Sequence, residues 1–483
     1  MVFSFIYLLL ISLNARKYFL SFHEKYNIDE VFFALFITGG LGLLYFLLQA
    51  NKMSKEIDHY VEEEKNLLWI SNHDPITKLP NQKMLDSFVS SMDEENGAHS
   101  YAVFSVEINR FRHINDLLGY DSRNDIMKLV AQRLTYLFAD NVYKLRGDDF
   151  LILRSNNDRT ELLYLARRIL KNITAPIGIN GFILNTAANI GVARCHENVS
   201  SLSKVIQQSD CALHEAKKLG RDQVKVFCPV MQEDLLKRAR FELDFKAALK
   251  NKALSLHYQP LVDLQSNTIV GFEALARWEQ APGKFIPPLQ FVALAEETGA
   301  ITELTEQLLR QACLDALQWP SYTLLSFNIS PLQLSDKSLY FRIMRILNEL
   351  SFPFDRLEIE VTESALFQDA MAARFTLTKL SDEGIQIALD DFGTGYSNLS
   401  QLCNFPFDKL KIDKSFIDTF LHNDKQDKIV RSLISLAGAL DMKVTAEGIE
   451  HVNQLNRLKG LGCHIGQGYL LGKPAPQRDL QKI

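Results

Sequence analysis

The sequence predicts an α/β protein whose C-terminal half folds as a (β/α)8-like barrel of the TIM type. Eight strand-like runs follow one another from about Leu254, and amphipathic stretches long enough for helices separate most of them. Acidic or amide side chains follow these apolar runs, as expected where strands end at a barrel rim. The 483 residues are too many for one core, so smaller domains should precede the barrel.

The strand-like runs and the polar residues beside them define the predicted rim. The runs are LSLHYQPLV, TIVGFEALARW, TLLSFNISP, RLEIEVTES, IQIALDDFG, DKLKIDKSF, MKVTAEGIE and GCHIGQGYL. The polar residues are Glu273, Asn328, Glu360, Asp390, Asp391, Glu447 and Gln467. Any one of them alone would usually be a solvated loop residue. Together they predict a cluster of oxygen ligands at one end of the barrel.

The chemistry of this cluster points to hard cations. In IALDDFG two adjacent carboxylates follow buried apolar residues, where each raises the pKa of the other unless cations neutralise them. Oxygen ligands without cysteine or a histidine pair favour Mg²⁺ or Mn²⁺ over zinc. Two such ions can flank a phosphodiester and stabilise both its attacking and its leaving oxygen.

Composition excludes some classes of partner and of disulfide chemistry. The net charge of −5 and the pI near 6.2 give no overall basic field for polymeric nucleic acid. A small nucleotide brought in by metal ions remains compatible with this charge. The six cysteines are scattered without a C-x-x-C pair, so we expect reduced thiols, mostly in the core.

The N-terminal residues 1–50 predict a membrane anchor of one or two helices. Residues 31–48 form an uncharged apolar run of about the length needed to cross a bilayer. Residues 2–13 are equally apolar but short, and predict either a first span of a hairpin or an interfacial helix. No basic residue precedes this run and no small-residue cleavage site follows, which argues against a cleaved signal peptide. The loop between the two runs, about residues 14–30, is too small for a folded sensor domain.

Residues 51–72 predict a helix that connects the anchor to the first large domain. Met53, Ile57, Tyr60 and Leu67 recur at steps of three and four residues, with Glu64 interrupting. This pattern is typical of a short parallel coiled coil between two protomers. A solvated connector helix explains it equally well.

Residues 73–228 mix strand-like and helical runs and predict an α+β domain. VYKLRGDDFLILR at 142–154 reads as two β-runs around a polar tip, which is a hairpin signal. From DPITKLPN at 74–81 to AKKLGR at 216–221 the segment resembles a GGDEF domain of the diguanylate cyclase family. The resemblance implies a nucleotide-cyclase-like domain with a ferredoxin-like core.

Departures from the family pattern lie at the positions of its active site. The family's hairpin tip reads G-G-[DE]-E-F, and this chain has Arg146, Gly147, Asp148, Asp149 and Phe150 there. Arg146 replaces a glycine that lets the backbone approach the nucleotide. Glu107 stands for the metal-binding aspartate, one methylene longer, and Asn124 stands for the aspartate that reads guanine. An amide cannot accept two hydrogen bonds from a guanine edge as a carboxylate can.

At other positions of this domain, some residues of the family pattern are replaced and others are kept. Leu137 stands where the product-inhibition motif R-x-x-D would begin, although Asp140 remains. Asn115, Lys217 and Arg221 match the family's guanine and phosphate contacts. We therefore expect little or no cyclase activity. Binding of GTP as a regulatory input and a purely structural role both stay open.

The C-terminal residues 241–483, after a linker at 229–240, resemble a second family over their whole length. The matching motifs are EALAR at 273–277, FNISP at 327–331, EVTES at 360–364, DDFGTGYSNL at 390–399, KIDKSF at 411–416, AEGIE at 446–450 and GQGYLLGKP at 466–474. These look like the EAL family of cyclic di-GMP phosphodiesterases. The resemblance implies an EAL-type barrel, often dimeric, that hydrolyses cyclic di-GMP to linear pGpG with two Mg²⁺ or Mn²⁺ ions.

The resemblance also assigns roles to individual residues. It gives one metal ion to Glu273, Asn328, Glu360 and Asp390, and a second to Asp390, Asp391 and Glu447. The catalytic residues are then Glu273 and Glu447 together with Lys411, beside the attacking water, and Gln467, near the nucleophile. Substrate contacts fall on Gln259, Leu275, Arg277 and Asp413, with the Arg277 guanidinium suited to a phosphate. Glu363 matches a glutamate that orders the loop between active site and dimer interface.

Two other functions are compatible with parts of the pattern. One is a receptor that binds cyclic di-GMP without cutting it, although such proteins typically lack several metal ligands and this chain lacks none. The other is a bifunctional protein with an active cyclase, which RGDDF makes the weaker alternative. The resemblance places both large domains on the cytoplasmic side of a bacterial inner membrane.

Overall fold

A computed structural model describes residues 28–94, 101–109, 111–155, 159–179, 181–195, 201–393 and 404–482 of the chain. The short apolar run at 2–13 and residues 394–403, which follow DDFG in the sequence, lie outside the described residues. The chain divides into two compact units, Met1–Leu236 and Lys237–Ile483. The predicted α/β class is confirmed.

The first described element is one continuous helix, α1 (Ile28–Asn72), of 45 residues. From Ala34 onward it is long and apolar enough, by length and composition, to cross a membrane, and its apolar window is fully exposed. The apolar side chains at the three- and four-residue steps of its polar half are exposed as well, from 57% for Ile57 to 69% for Tyr60. The two segments that the sequence predicts separately, anchor and connector, are therefore one helix.

Hydrogen bonds tie the end of α1 to the rest of the first unit. The Asp74 carboxylate accepts bonds from the backbone and the hydroxyl of Thr77, which form a turn directly after the helix. Asn81 then donates from its side chain to Ser71 O at 2.9 Å and from its backbone to Asn72 O at 2.9 Å. The helix end is thus fixed to the turn that follows it.

The remainder of the first unit is a mixed sheet with helices on both faces. Its elements are α2 (Gln82–Glu94), β1 (Tyr101–Asn109), α3 (Phe111–Phe138), β2 (Val142–Lys144), β3 (Asp149–Ser155), α4 (Arg159–Ile173), β4 (Ile177–Ile179), β5 (Phe182–Leu184), β6 (Ala187–Arg194), α5 (Leu202–Lys218) and β7 (Val224–Val226). The sheet order is β2-β3-β1-β6-β7, and β4 and β5 form a separate hairpin. Alternate residues of β1 point to opposite faces, so that Phe104 packs with α3 and α4 and Val103 packs with α2 and α5. The predicted hairpin of β2 and β3 is confirmed.

The second unit is a closed barrel of eight strands, preceded by a helix that begins at the end of the first unit. Its elements are α6 (Pro229–Lys250), β8 (Leu254–Asp263), β9 (Thr268–Ala281), β10 (Lys284–Ile286), α7 (Pro288–Thr298), α8 (Ile301–Ala316), β11 (Leu324–Asn328), α9 (Pro331–Leu334), α10 (Ser338–Leu350), β12 (Leu357–Thr362), α11 (Ala365–Gln368), α12 (Ala370–Asp382), β13 (Gln386–Phe392), β14 (Lys409–Ile412), α13 (Lys414–Ile417), α14 (Asp424–Ala439), β15 (Lys443–Ala446), α15 (Val452–Gly460), β16 (Ile465–Gly466) and β17 (Ala475–Pro476). Short 3-10 helices cover Ala139–Asn141, Phe354–Arg356 and Gln477–Lys482.

The order of strands around the barrel is β8-β9-β11-β12-β13-β14-β15-β16, and β16 pairs back to β8. From β9 to β16 each pair is parallel, whereas β8 is antiparallel to both of its neighbours. A short turn joins β8 directly to β9, and a connection of that length only permits an antiparallel hairpin. Parallel strands bring their carboxyl ends to one rim, which is where the predicted polar cluster should lie.

Candidate active site

The strands bring the predicted rim residues to one end of the barrel, at slightly different heights. Asn328 is the last residue of β11, and Glu447 and Gln467 directly follow β15 and β16. Glu273 and Glu360 instead lie inside β9 and β12, which continue past them. The expectation that every polar residue follows its strand is therefore wrong for these two, and also for Asp390 and Asp391, which lie inside β13. β9 is longer because it also pairs with β8 and with β10 beyond the rim.

The ammonium group of Lys411 lies at the centre of the carboxylates. Its Nζ is 2.7 Å from Glu360 Oε2 and 2.6 Å from Glu447 Oε1. Asp390 Oδ1 and Glu273 Oε2 follow at 3.5 Å and 3.7 Å. Lys411 is 1% exposed, so this positive charge is compensated by carboxylates rather than by water. The sequence predicts Lys411 near the site, but not at its centre.

A second group of contacts holds Glu273 between two amides. Asn328 Nδ2 donates to Glu273 Oε1 at 2.7 Å, and Gln467 Nε2 donates to Glu273 Oε2 at 2.6 Å. Gln467 Nε2 also donates to Gln259 Oε1 at 3.1 Å. The structure therefore brings Gln259, from β8, together with three of the predicted rim residues, from β9, β11 and the end of β16. Gln467 Oε1 is buried and accepts no hydrogen bond within the described residues.

Burial and charge shift the pKa values of the acidic groups in opposite directions. Burial opposes ionisation of Glu273, but Lys411 and the two amide donors outweigh it and hold its pKa below the ordinary value. Burial, together with the neighbouring Glu273, raises the pKa of Glu360 well above the ordinary value. Burial also raises the pKa of Glu447 to about 8, despite the attraction of Lys411. The carboxylates thus crowd more negative charge than one lysine neutralises.

A bulge in β13 orients the adjacent aspartates. The register between β13 and β14 shifts between Leu389 and Phe392, and Asp391 has a φ of 53°. Aspartate tolerates this left-handed conformation better than most residues. The backbone N–H of Asp391 donates to Asp390 Oδ1 at 2.9 Å. Burial, followed by repulsion from Asp390, raises the pKa of Asp391. Nothing in the pattern IALDDFG predicts the bulge.

The predicted substrate contacts do not all lie together. Gln259 lies beside Gln467 in the rim cluster, whereas Arg277 lies in a cleft. Arg277 is half-buried and lines an open cleft of about 470 Å³ together with His257, Phe285, Tyr469 and Lys473. This cleft combines cationic and aromatic side chains, which suits a nucleotide with a phosphate and a base. Leu275, two residues before Arg277 on β9, is also half-buried.

Asp413 and Glu363 have local structural contacts. Asp413 caps α13, because its carboxylate accepts the backbone N–H of Ser415 at 3.0 Å. Glu363 is 7% exposed and follows β12, and its carbonyl accepts the N–H of Leu366 at 3.2 Å. Asp413 nevertheless contributes to the negative charge that raises the pKa of Asp391. Both residues therefore lie near the rim without joining the central cluster.

Three buried polar residues next to the cluster were missed by the sequence reasoning. Lys409 Nζ is 2.5 Å from Glu358 Oε2, and Ser326 Oγ contacts both Glu358 and Glu360. The signal of the two charged residues, Glu358 and Lys409, is present in LEIEV and DKLKI, where charges recur at every second residue of apolar strands. A period of two puts Glu358 and Glu360 on the same face of β12.

The residues present fit hard divalent cations by their chemistry. Carboxylate and amide oxygens converge on one rim, and the buried Gln467 Oε1 has no partner there. Oxygen donors of this kind are the ligands that Mg²⁺ and Mn²⁺ prefer. In the described part of the chain, no three His, Cys, Asp or Glu side chains already stand in the spacing of a metal site. The Lys411 ammonium takes the centre of the carboxylates in this arrangement.

The cyclase-like residues of the first unit are held by internal ion pairs. Glu107 Oε2 is 2.5 Å from Lys217 Nζ, and Asp148 Oδ1 is 2.5 Å from Arg123 Nη2. Burial, then repulsion from Glu107, raises the pKa of Asp149 to about 6. Glu107 and Asp148, at two positions of the family's active site, thus each already pair with a basic side chain.

A buried lysine supports the hairpin tip of the first unit. Lys144 Nζ donates to the carbonyls of Leu145, Gly147 and Asp149 at 2.8, 2.7 and 3.1 Å. Gly147 has a φ of 63°, which glycine adopts without strain. The substituting Arg146 is exposed at this tip, so its side chain stands in the solvent where the family has none.

The other cyclase-like positions differ in exposure where their side chains are described. Asn124 and Leu137 are half-buried and Arg221 is exposed. The side chains of Asn115 and Asp140 lie outside the described part of the structure.

Comparison with known proteins relates both units to families. The model of the EAL domain matches residues 242–474, and the model of the diguanylate cyclase GGDEF domain matches residues 71–223. The cyclic di-GMP phosphodiesterase PdeR of Escherichia coli is 31% identical over 86% of this chain and 63% of its own length. The bifunctional diguanylate cyclase/cyclic di-GMP phosphodiesterase MucR of Pseudomonas aeruginosa is 32% identical over 86% of this chain and 62% of its own length. The chain thus covers less than two thirds of either relative.

A solved structure is similar over most of the chain. The EAL enzyme Bd1971, in a form bound to cAMP and cyclic di-GMP, covers 80% of this chain and 96% of its own, with a TM-score of 0.50 and 23% identity. At this identity the similarity concerns the fold alone.

Proposed function

The chain belongs to the family of proteins in which a GGDEF domain precedes an EAL domain, and on that premise we propose that its EAL domain hydrolyses cyclic di-GMP to linear pGpG. The observation that supports this most is the rim cluster, where every oxygen ligand expected for two Mg²⁺ or Mn²⁺ ions is present in the sequence. A water oxygen forms a bond to one phosphorus, the bond from that phosphorus to the 3′ oxygen breaks, and that oxygen takes up a proton.

We assign the metal ligands as the sequence predicts. Glu273, Asn328, Glu360 and Asp390 would hold one ion, and Asp390, Asp391 and Glu447 the other. When bound, the two ions supply Lewis acidity that stabilises negative charge on the attacking and leaving oxygens. Burial, and after it the neighbouring carboxylates, raise the pKa of Glu360 and Glu447, and this supports the assignment because bound cations would stabilise the ionised carboxylates.

The protein's own side chains would orient the reactants. The four surrounding carboxylates hold the pKa of Lys411 well above its ordinary value despite burial, so that it acts as a positive charge and hydrogen-bond donor rather than as a base. Gln467 Oε1, which accepts no hydrogen bond within the described residues, can accept one from the attacking water. Arg277 in the adjacent cleft can bind a phosphate oxygen, with Gln259, Leu275 and Asp413 as further substrate contacts.

The GGDEF domain is proposed to be inactive as a cyclase. Asn124 and the exposed Arg146 support this, together with the ion pairs that already engage Glu107 and Asp148. Its role is then either regulation through bound GTP or structural support. The relative MucR carries the name of a bifunctional enzyme, which makes GTP the substrate to test first.

The proposed location and assembly rest on α1. We propose that its apolar half anchors the chain in a bacterial inner membrane, with both domains in the cytoplasm. The exposed apolar side chains of its polar half would then pair with those of a second copy, giving a homodimer. The EAL domain contributes to the same dimer through the loop that Glu363 orders.

The function is tested with the whole chain in detergent, cyclic di-GMP and Mg²⁺ or Mn²⁺. We expect pGpG to appear in chromatography and its formation to stop on addition of EDTA. Binding of cyclic di-GMP without any pGpG would mean a receptor and would refute the enzymatic proposal. The same preparation with GTP should give no cyclic di-GMP, whereas formation of cyclic di-GMP would mean that the protein is bifunctional.

A further inference from the structure

A second ion pair lies inside the barrel, one step below the rim cluster on the same two strands. Glu358 and Lys409 stand two residues before Glu360 and Lys411 on β12 and β14. Lys409 Nζ is 2.5 Å from Glu358 Oε2, and their side chains are 3% and 0% exposed. The barrel therefore contains two stacked lysine–glutamate pairs, of which only the upper one belongs to the rim cluster.

Ser326 connects the two pairs. Its hydroxyl is 0% exposed and lies 2.8 Å from Glu358 Oε1 and 2.5 Å from Glu360 Oε1. One hydroxyl proton can be donated to only one carboxylate at a time. The orientation of the Glu360 carboxylate is thus coupled to the position of Glu358, and through Glu358 to Lys409.

The strand register explains why the pairs form across β13. Ala388 of β13 is in register with both Glu360 and Lys409, and its methyl group leaves room for longer side chains from the strands on either side. Alternate strands supply the side chains of one layer inside a barrel of this type. β12 and β14 are such alternate strands.

Stability gives no reason to keep this lower pair. Desolvation of two charges largely cancels their attraction, and apolar residues of similar volume often stabilise a core as well or better. The pair is 3% and 0% exposed, so water does not compensate its charges, and Leu325, Ile359 and Leu410, which alternate with these residues and face the other side of the strands, belong to the main core. A role in fixing its polar neighbours is the remaining physical reason for the pair.

We propose that Glu358, Lys409 and Ser326 form a positioning unit that fixes the carboxylate of Glu360, and with it Lys411, in the orientation that the site requires. The three residues do not touch the substrate; they act through Glu360. The inference rests on the proposed function in that Glu360 is taken as a metal ligand. Partners of ligating residues commonly change metal affinity by about 10- to 100-fold when they are removed.

The test uses the whole chain in detergent and measures two quantities, the affinity for Mn²⁺ alone and the kcat and KM for cyclic di-GMP. The double variant Glu358→Leu with Lys409→Met replaces both charges by apolar groups and leaves no unpaired charge. We expect it to remain folded and to bind Mn²⁺ about 10- to 100-fold more weakly. Its kcat for cyclic di-GMP should fall, whereas its KM should not rise. Ser326→Ala should show the same direction of change with a smaller loss.

Thr376→Val is the matched control, because Thr376 is 0% exposed on α12 and its hydroxyl has no partner among the described residues. It should leave Mn²⁺ affinity and kcat unchanged.

A folded double variant with the wild-type Mn²⁺ affinity and kcat would overturn the proposal. If the double variant does not fold, Ser326→Ala decides alone, and unchanged Mn²⁺ affinity overturns the proposal. Failure of the wild type to hydrolyse cyclic di-GMP while it binds Mn²⁺ would overturn the proposed function only, since the Mn²⁺ comparison still stands.

Discussion

The substitution Lys411→Met removes the only cation that the described structure places among the rim carboxylates. Its ammonium is within 2.7 Å of both Glu360 and Glu447. Methionine has a similar length and no charge, so the change leaves buried carboxylates facing one another. Breaking a buried ion pair by removing one partner costs about 3–5 kcal/mol. For a domain of this size each kcal/mol lowers the unfolding midpoint by roughly 2–4 °C, so a fall of about 6–20 °C is expected without metal.

Divalent cations should separate the structural effect from the chemical one. Mn²⁺ can supply the missing positive charge, so it should raise the midpoint of the variant more than that of the wild type. Hydrolysis of cyclic di-GMP should stay at least about 100-fold below the wild-type rate, because the ion does not replace a hydrogen-bond donor beside the water.

The assay follows tryptophan fluorescence on heating, with EDTA and with Mn²⁺. Trp278 and Trp319 are both buried in the barrel and report its unfolding. Lys428→Met, at an exposed position of α14, is the control and should change neither midpoint nor rate. An unchanged midpoint in EDTA would contradict the central place of Lys411. A rate near that of the wild type would contradict its catalytic role.

Three further predictions concern single residues. Glu273→Ala should abolish formation of pGpG by removing a metal ligand, whereas Glu303→Gln on the exposed face of α8 should leave the rate unchanged; activity of the first variant would mean that the site is misplaced. Gly191→Ala should destabilise the GGDEF domain by about 1–3 kcal/mol or more, measured by urea unfolding, because its Cβ would lie 2.1 Å from Ser209 O. Hydrogen bonds from the Ser338 side chain, Arg342 and the Ser338 backbone lower the pKa of Asp336 to about 2, so Asp336→Asn should reduce stability at pH 7. The reduction should be less than about 1 kcal/mol at this half-exposed position and should vanish as the pH falls from 4 towards 2; a difference that grows in acid would refute it.

Much of the fold could be predicted from local patterns. The eight strands of the barrel and the β2–β3 hairpin are each visible in a short stretch of sequence, as apolar runs with polar ends. The height of each side chain within the barrel could not be predicted, because it depends on how strands distant in sequence align. For this reason Glu273, Glu360, Asp390 and Asp391 lie inside their strands rather than after them.

The inner contacts of the site escaped prediction for a related reason. Lys411 and Glu360 are 51 residues apart, and their contact depends on the register of two strands that are not neighbours in the sheet. The bulge at Asp391 is a matter of backbone conformation that side-chain identity only permits. The sequence shows a charge at every second position around Glu358 and Lys409. This pattern indicates buried charges, but it does not predict which residue pairs with which.

The unbroken course of α1 makes its length as important as its composition. At about 1.5 Å per residue, its 45 residues extend for about 68 Å. Asn81 donates hydrogen bonds to the carbonyls of Ser71 and Asn72 at the end of α1. If α1 rotates about its axis as a rigid helix, the GGDEF domain therefore rotates by the same angle. Insertion of one residue into the polar half would turn everything after it by about 100°. The number of residues between Met53 and Ser71 therefore sets an angle, and substitutions that preserve this number preserve the angle.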